Sequence, residues 1–260
     1  MKNRSVKRIL LLLLGFLFLF SLYRAGSILH RAHEEDEEFQ ALAVQAEKYR
    51  RTSAESNEAT AEEYQSPYLP LKEQNPDFFG WLSIADTKLD YPVMYTPKEP
   101  EHYLRRSFEG EYSVSGVPFV GAGWRENGAH TIVYGHNMKN GTMFATLLSY
   151  ADKSFWEEHP VISFATLEGE YTYQVLGAFY SKAYQSAEEN VFRFYQCSDL
   201  STQEAFDGYI ENVRAAALYD TGVEAAPGGH LLTLSTCSYH TQNGRFVVVG
   251  YCADSPYDNK

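Results

Sequence analysis

Thr233-Leu234-Ser235-Thr236-Cys237-Ser238-Tyr239-His240, followed by Gly244-Arg245-Phe246-Val247-Val248-Val249-Gly250, is the stretch on which the reading of this chain turns. The apolar, β-prone run Leu231 to Thr236 ends on a cysteine, and a second such run, Phe246 to Tyr251, begins just after an arginine. Two β-prone runs joined by a short polar, glycine-containing segment predict neighbouring strands. Cys237 then stands at the end of one strand and Arg245 at the start of the next. A thiol beside a guanidinium has reason to ionise, and the thiolate is the nucleophilic form.

Outward from that pair, strand-like runs recur at Trp81–Ala85, Leu89–Tyr95, Gly116–Val120, His130–Tyr134, Val161–Thr166 and Tyr171–Tyr180. Helical pieces are fewer. Thr142–Tyr150 and Ser154–His159 are short, and Thr202–Tyr219 carries Phe206, Ile210, Val213 and Ala217 on one face. Many strands with turn signals and only occasional helices predict a mainly β barrel or sandwich. No internal repeat and no glycine-rich phosphate loop interrupts the pattern.

The N-terminal quarter has a different character. Met1 to Arg8 is basic, and Ile9 to Tyr23 is apolar apart from Gly15 and Ser21. A span needs roughly 20 residues, reached here if Arg24 snorkels and the segment runs on to Leu29. The alternative is a cleaved signal peptide, but Tyr23-Arg24-Ala25-Gly26 makes a poor cleavage site. An uncleaved anchor with a cytoplasmic N-terminus, its basic flank inside and the acidic run Glu34 to Glu38 outside, is the preferred reading. Residues 1–33 are thus assigned to a tail and signal anchor, 34–65 to a charged, solvated helical spacer fraying over Thr52–Thr60, and 66–260 to the folded domain.

Charge and cysteine content exclude several functions. The chain has 22 Lys and Arg against 34 Asp and Glu, a net charge of −12. All six basic residues of positions 1–33 lie in a segment without an acid, so the remainder is more acidic still. Nothing electrostatic favours a nucleic-acid partner. Three cysteines, Cys197, Cys237 and Cys252, make no disulfide framework. Cys197 and Cys252 are read as small buried hydrophobes, with a bridge between them possible but unsupported. No paired carboxylates stand at metal-ligand spacing, and neither a metal nor another cofactor is expected.

A nucleophilic cysteine needs a proton partner and a group to hold developing oxyanion charge. His136 follows an apolar strand and a glycine in Thr131-Ile132-Val133-Tyr134-Gly135-His136-Asn137-Met138, a strand edge suited to an active-site side chain. His102, His159, His230 and His240 sit in polar or turn-like contexts and read as surface residues, His240 being the one rival because it is three residues from Cys237. Singly these signals are weak, and Arg245 by itself reads equally as half of a surface ion pair worth under about 1 kcal/mol.

Together, Thr233-Leu234-Ser235-Thr236-Cys237 with Arg245, and Tyr134-Gly135-His136-Asn137-Met138 about a hundred residues earlier, resemble the sortases, membrane-anchored cysteine transpeptidases of Gram-positive cell surfaces. Asn75-Pro76-Asp77 with Gly80-Trp81, the Asp90-Tyr91-Pro92-Val93 strand, and a long helix leading to Leu218-Tyr219-Asp220-Thr221-Gly222 resemble class B in particular. The resemblance spans residues 66–252. It implies an eight-stranded β-barrel with an N-terminal helical segment and a long helix before the cysteine strand. Cys237 is implied as nucleophile, His136 as general acid/base and Arg245 as the holder of the substrate carbonyl or its oxyanion. Ser235 matches a substrate-contact position, with Thr236 and Asn137 as further candidates.

The implied reaction cleaves a sorting signal of the Asn-Pro-x-Thr type after threonine and passes the acyl group to a peptidoglycan precursor or cross-bridge amine. The partners are sorting-signal-bearing surface proteins, the wall amine and the membrane. Pilin polymerisation and an inactive sortase-like binding module are the alternatives. An L,D-transpeptidase is disfavoured because Ser235-Thr236-Cys237 lacks the expected glycine. The chain departs from class B at Gly116 to Trp124, and at His240, where an acidic residue is frequent; both bear on substrate preference.

Overall fold

The computed structural model describes residues 2–57, 66–126 and 128–253, and the chain divides into two compact units, residues 1–41 and 42–260. Helix α1 (Lys2–Asn57) contains the window Leu10–Ser27, long and apolar enough to cross a membrane by length and composition. Part of the polar stretch expected to fray, residues 58–60, lies outside the described residues. Within the second unit the end of α1 is not wholly solvated, contrary to its charge. Leu42 and Ala46, one helical turn apart, are both buried.

Eight strands form a closed barrel: β1 (Phe78–Ser83), β2 (Asp90–Met94), β3 (Phe119–Val120), β4 (His130–Tyr134), β5 (Val161–Thr166), β6 (Glu170–Lys182), β7 (His230–Cys237) and β8 (Gly244–Cys252). Their order around it is β1-β2-β3-β4-β7-β8-β6-β5. Two pairs, β2/β3 and β4/β7, are parallel, and the other ladders are antiparallel. Every predicted strand is present. Pro92 is tolerated within β2 because the β3 ladder reaches only Met94, which leaves Pro92 at an effective edge. A short helix α2 (Leu69–Gln74), with a proline in its first turn, precedes β1 and was not signalled by any periodicity.

Helix α3 (Lys153–Glu158) is capped by Asp152. The longer α4 (Gln203–Ala216) starts at Thr202, whose hydroxyl accepts from the Ala205 N–H, a cap worth about 1 kcal/mol. Its buried face, Phe206, Tyr209, Ile210 and Val213, packs on Leu176 and Phe179 of β6, Leu231 of β7 and Val247 and Val249 of β8. Contact is close at Gly177, where a Cβ would lie 3.1 Å from Val213. This outer layer, with the β6–α4 connection, covers one end of the sheet face whose other end holds Cys237.

His230 corrects its surface assignment: it is 1% exposed, because it opens β7 instead of preceding it. Its Nδ1 meets the Tyr173 hydroxyl at 3.0 Å and its Nε2 meets Thr131 Oγ1 at 3.3 Å. His130, which opens β4, is equally buried. Burial depresses both: His130 to about 4, opposed by its bond to the Cys197 carbonyl, and His230 to about 3, helped by the neighbouring His130.

Above the unfolded value of about 6.5 both rings are neutral in either state and add no pH dependence. Below it the unfolded chain takes up protons that the folded chain cannot. Stability therefore falls from pH 6.5 towards 4 through His130, and on to 3 through His230. Each costs about 1.4 kcal/mol per pH unit in that window. Urea titrations at pH 7.5 and 5.5 should show a loss of roughly 2–3 kcal/mol; an unchanged unfolding free energy would contradict two buried neutral rings.

Candidate active site

Cys237 ends β7 and pairs directly with Arg245 near the start of β8, in the antiparallel register Cys237↔Arg245. On the other side of β7, the parallel ladder with β4 runs to Tyr134↔Ser235. Strand spacing of about 5 Å thus places the residues just beyond Tyr134 beside those just beyond Ser235. Three hydrogen bonds extend the match past the ladder. The Gly135 N–H donates to the Ser235 carbonyl at 3.2 Å, Thr236 Oγ1 donates to the Gly135 carbonyl at 2.8 Å, and Asn137 Nδ2 donates to the Cys237 carbonyl at 3.0 Å. His136 and Cys237 are therefore held side by side by two side-chain clasps. With Arg245 they line one groove of about 800 Å³.

The imidazole is anchored from outside the barrel. His136 Nε2 lies 2.9 Å from the carbonyl oxygen of Leu104, in the 3₁₀ turn His102–Arg105. A carbonyl only accepts, so Nε2 carries the proton and Nδ1 is the basic atom of the neutral ring. Gly116, at φ +59°, lets its segment lie against this turn, since a Cβ there would fall 2.6 Å from the Leu104 oxygen. The Phe144 N–H donates to the His136 carbonyl at 2.8 Å, fixing the backbone as well. Burial, first, lowers the His136 pKa below the ordinary value; the Leu104 carbonyl opposes this and the Arg105 charge adds to it. At neutral pH the ring is thus a neutral base.

Arg245 is held by its own turn, Nη1 donating to the carbonyls of Gly244 at 3.1 Å and Asn243 at 3.4 Å. Among the described residues it forms no ion pair, so the surface-pair reading fails. Its charge acts on Tyr134, which also lines the groove and whose hydroxyl is raised to about 12, mainly by burial. A cysteine, a neutral imidazole and an unneutralised guanidinium around one groove are groups chemically able to serve as nucleophile, proton carrier and oxyanion partner, the parts acyl transfer needs.

A family model described as Sortase domain matches residues 82–253 of the chain. The chain belongs to the sortase family. Its class is B: Sortase B of Listeria monocytogenes is 30% identical over 251 residues, 94% of this chain and 95% of that protein. Sortase B of Staphylococcus aureus is 30% identical over 183 residues, 69% of this chain and 71% of that protein. The barrel superposes on the Staphylococcus aureus sortase B–substrate complex with a TM-score of 0.71 at 24% identity, covering 86% of this chain and 98% of that one. Clostridium perfringens sortase B gives 0.64 at 28% identity, covering 72% and 99%. The protein is accordingly a cysteine transpeptidase of the wall-anchoring type.

Within this sortase the candidate residues divide. Cys237, His136, Arg245, Ser235 and Thr236 all line the groove. Ser235 is 1% exposed, and its hydroxyl has no hydrogen-bond partner among the described residues. Thr236 and Asn137 each donate to a backbone carbonyl across the β4–β7 seam and so hold the two strand ends together. His240 does not enter the groove; it lies on the turn after β7, with Nδ1 3.0 Å from Ser238 Oγ and its ring tilted against Tyr180. No disulfide joins Cys197 to Cys252, which removes the possible bridge. Sequence reasoning passed over Tyr134, although period-2 alternation in the quoted motif puts it on the face of Ile132. It also passed over Phe194 and Tyr195 in the groove wall, whose irregular segment carries no periodic signal.

Proposed function

We propose that Cys237 passes its thiol proton to Nδ1 of the neutral His136 ring and, as the thiolate, attacks the carbonyl carbon of the threonine in an Asn-Pro-x-Thr-type sorting signal. The C–N bond breaks as the imidazolium of His136 gives its proton to the departing amine, leaving a thioester on Cys237. A wall amine then attacks that carbonyl and yields its proton to His136. The C–S bond breaks, the new amide forms and the thiolate returns. One amide is exchanged for another through a thioester, so no ATP is required. Arg245 holds the oxygen of each tetrahedral intermediate. The observation that carries this reading is the placement of one thiol between a register-paired guanidinium and a clasped imidazole.

Ser235 supports a polar peptide contact. A buried hydroxyl left unpaired costs about 1–3 kcal/mol, a cost that a substrate amide at this point in the groove removes. The window Leu10–Ser27 serves as a single-pass anchor, with the basic Lys2, Arg4, Lys7 and Arg8 on the cytoplasmic side and the catalytic domain outside. The clients on this reading are surface proteins joined to the wall.

The full chain in detergent micelles, given a fluorogenic Asn-Pro-x-Thr peptide and an amine acceptor, is expected to yield the amide product and a trapped acyl-enzyme of matching mass. Cys237→Ala should give neither. Product at the wild-type rate from that variant would refute the assignment.

A further inference from the structure

His130 and its partners take no part in the chemistry above, yet they join three elements that line the groove: β4, β7 and the 3₁₀ turn Phe194–Gln196. His130 opens β4 on the same face as Tyr134, four residues on. Its Nδ1 lies 2.6 Å from the carbonyl oxygen of Cys197, and its Nε2 lies 2.8 Å from Thr233 Oγ1. Thr233 Oγ1 is in turn 2.7 Å from the Tyr209 hydroxyl of α4. Thr233 stands two residues before Ser235 on the same face of β7.

Cys197 closes the 3₁₀ turn Phe194–Gln196, and Phe194 and Tyr195 of that turn line the groove. The segment between β6 and α4 that carries this turn belongs to no ladder of the barrel. Its position rests on Phe194 and Leu200, buried with Phe179 of β6, Leu231 of β7 and Val247 of β8, on the ion pair of Glu188 with Lys182 of β6 at 2.6 Å, and on hydrogen bonds, of which the His130 bond ties the Cys197 carbonyl to β4.

The donors can be ordered from chemistry alone. A carbonyl only accepts, so Nδ1 bears the hydrogen. In the neutral ring Nε2 then accepts from the Thr233 hydroxyl, which accepts from Tyr209. Burial keeps the ring neutral, with its pKa down to about 4. Every donor in the chain thus points one way, from α4 through β7 and β4 to the groove wall.

We propose that His130 is a positioning residue for the sorting peptide: its Nδ1–H pins the Cys197 carbonyl and so sets the Phe194–Tyr195 wall against the strand end that carries Ser235 and Cys237. This rests on the groove being the peptide site proposed above. The imidazole acts through the wall and not on the reacting atoms, so its loss is read in peptide affinity and not in the chemical step.

Two near-isosteric variants of the full chain separate this role from plain core packing. In His130→Asn the amide nitrogen takes the place of Nδ1 and keeps the donor to Cys197. In His130→Gln the amide reaches the place of Nε2 and loses that donor. His130→Gln is expected to raise KM for the peptide about tenfold, the worth of one hydrogen bond, with kcat within about twofold of wild type. His130→Asn should keep KM within about twofold. Equal KM for both variants, or a fall in kcat matching the rise in KM, would overturn the proposal.

A measurement with His130 in place covers the case in which neither variant folds. Imidazole ¹⁵N shifts should show His130 protonated at Nδ1, and those signals should move when peptide is added to a Cys237→Ala chain. An Nε2-protonated ring, or one indifferent to peptide, also overturns it. Because tautomer and binding need no turnover, failure of the transpeptidation assay would count against the reaction assignment and leave the tether separately testable.

Discussion

Replacing His136 by alanine is expected to lower kcat/KM for transpeptidation by about 10²–10⁴-fold, with little change in stability. The imbalance follows from how the residue is held. The backbone of His136 is secured through its own carbonyl to Phe144 and through the neighbouring clasps at Gly135 and Asn137, none of which uses the imidazole. The ring itself contributes one hydrogen bond to Leu104 and the proton chemistry. Thermal unfolding should therefore move little while the rate collapses. The pH profile carries a second mark of the same geometry. Burial and Arg105 both disfavour the charged ring, so the imidazole measured in the free enzyme titrates below its ordinary value of about 6.5. Arg105→Gln removes a positive charge and should raise it. A His136→Ala enzyme within tenfold of wild type would mean that another group carries the proton.

The hairpin of β7 and β8 could be read before any coordinates because its signals are local. The apolar, β-prone run from Leu231 to Thr236 and the continuous run at Phe246 to Val249 match strands buried on both faces, and the polar turn between them fixes which residues meet. Once the register is set, Cys237 opposite Arg245 is a consequence. His136 was legible for a related reason, since a strand ending in glycine puts the next side chain at the barrel rim. The tether of that ring was not legible, because its partner is the main-chain oxygen of Leu104, an atom every residue type supplies. His230 was misplaced because the preceding Pro227-Gly228-Gly229 reads as a turn and hides that β7 has already begun at His230. Burial of two histidines depends on Tyr173, Tyr209, Thr131 and Thr233 arriving from four separate elements. No window of contiguous sequence contains that information. The covered face of α1 at Leu42 and Ala46 was obscured likewise by the charged residues around it.

Arg245→Ala is expected to reduce kcat by about 10²–10³-fold, the usual cost of deleting an oxyanion-hole donor, while KM changes by a smaller factor. The guanidinium is already oriented, with Nη1 tied to the carbonyls of Gly244 and Asn243 and its Cα fixed opposite Cys237 by the ladder. A donor held this way does not reorganise as charge develops, so its stabilisation is realised in the transition state more than in the bound peptide. Arg245→Lys tests whether charge or geometry matters. A lysine keeps the positive charge but has no planar fork with which to bond the turn and the oxyanion together. The lysine enzyme should therefore fall between wild type and alanine, with most of the loss in kcat. If both variants raised KM and spared kcat, the arginine would be gripping the ground-state peptide, and oxyanion stabilisation would have to come from backbone N–H groups near Cys237 instead.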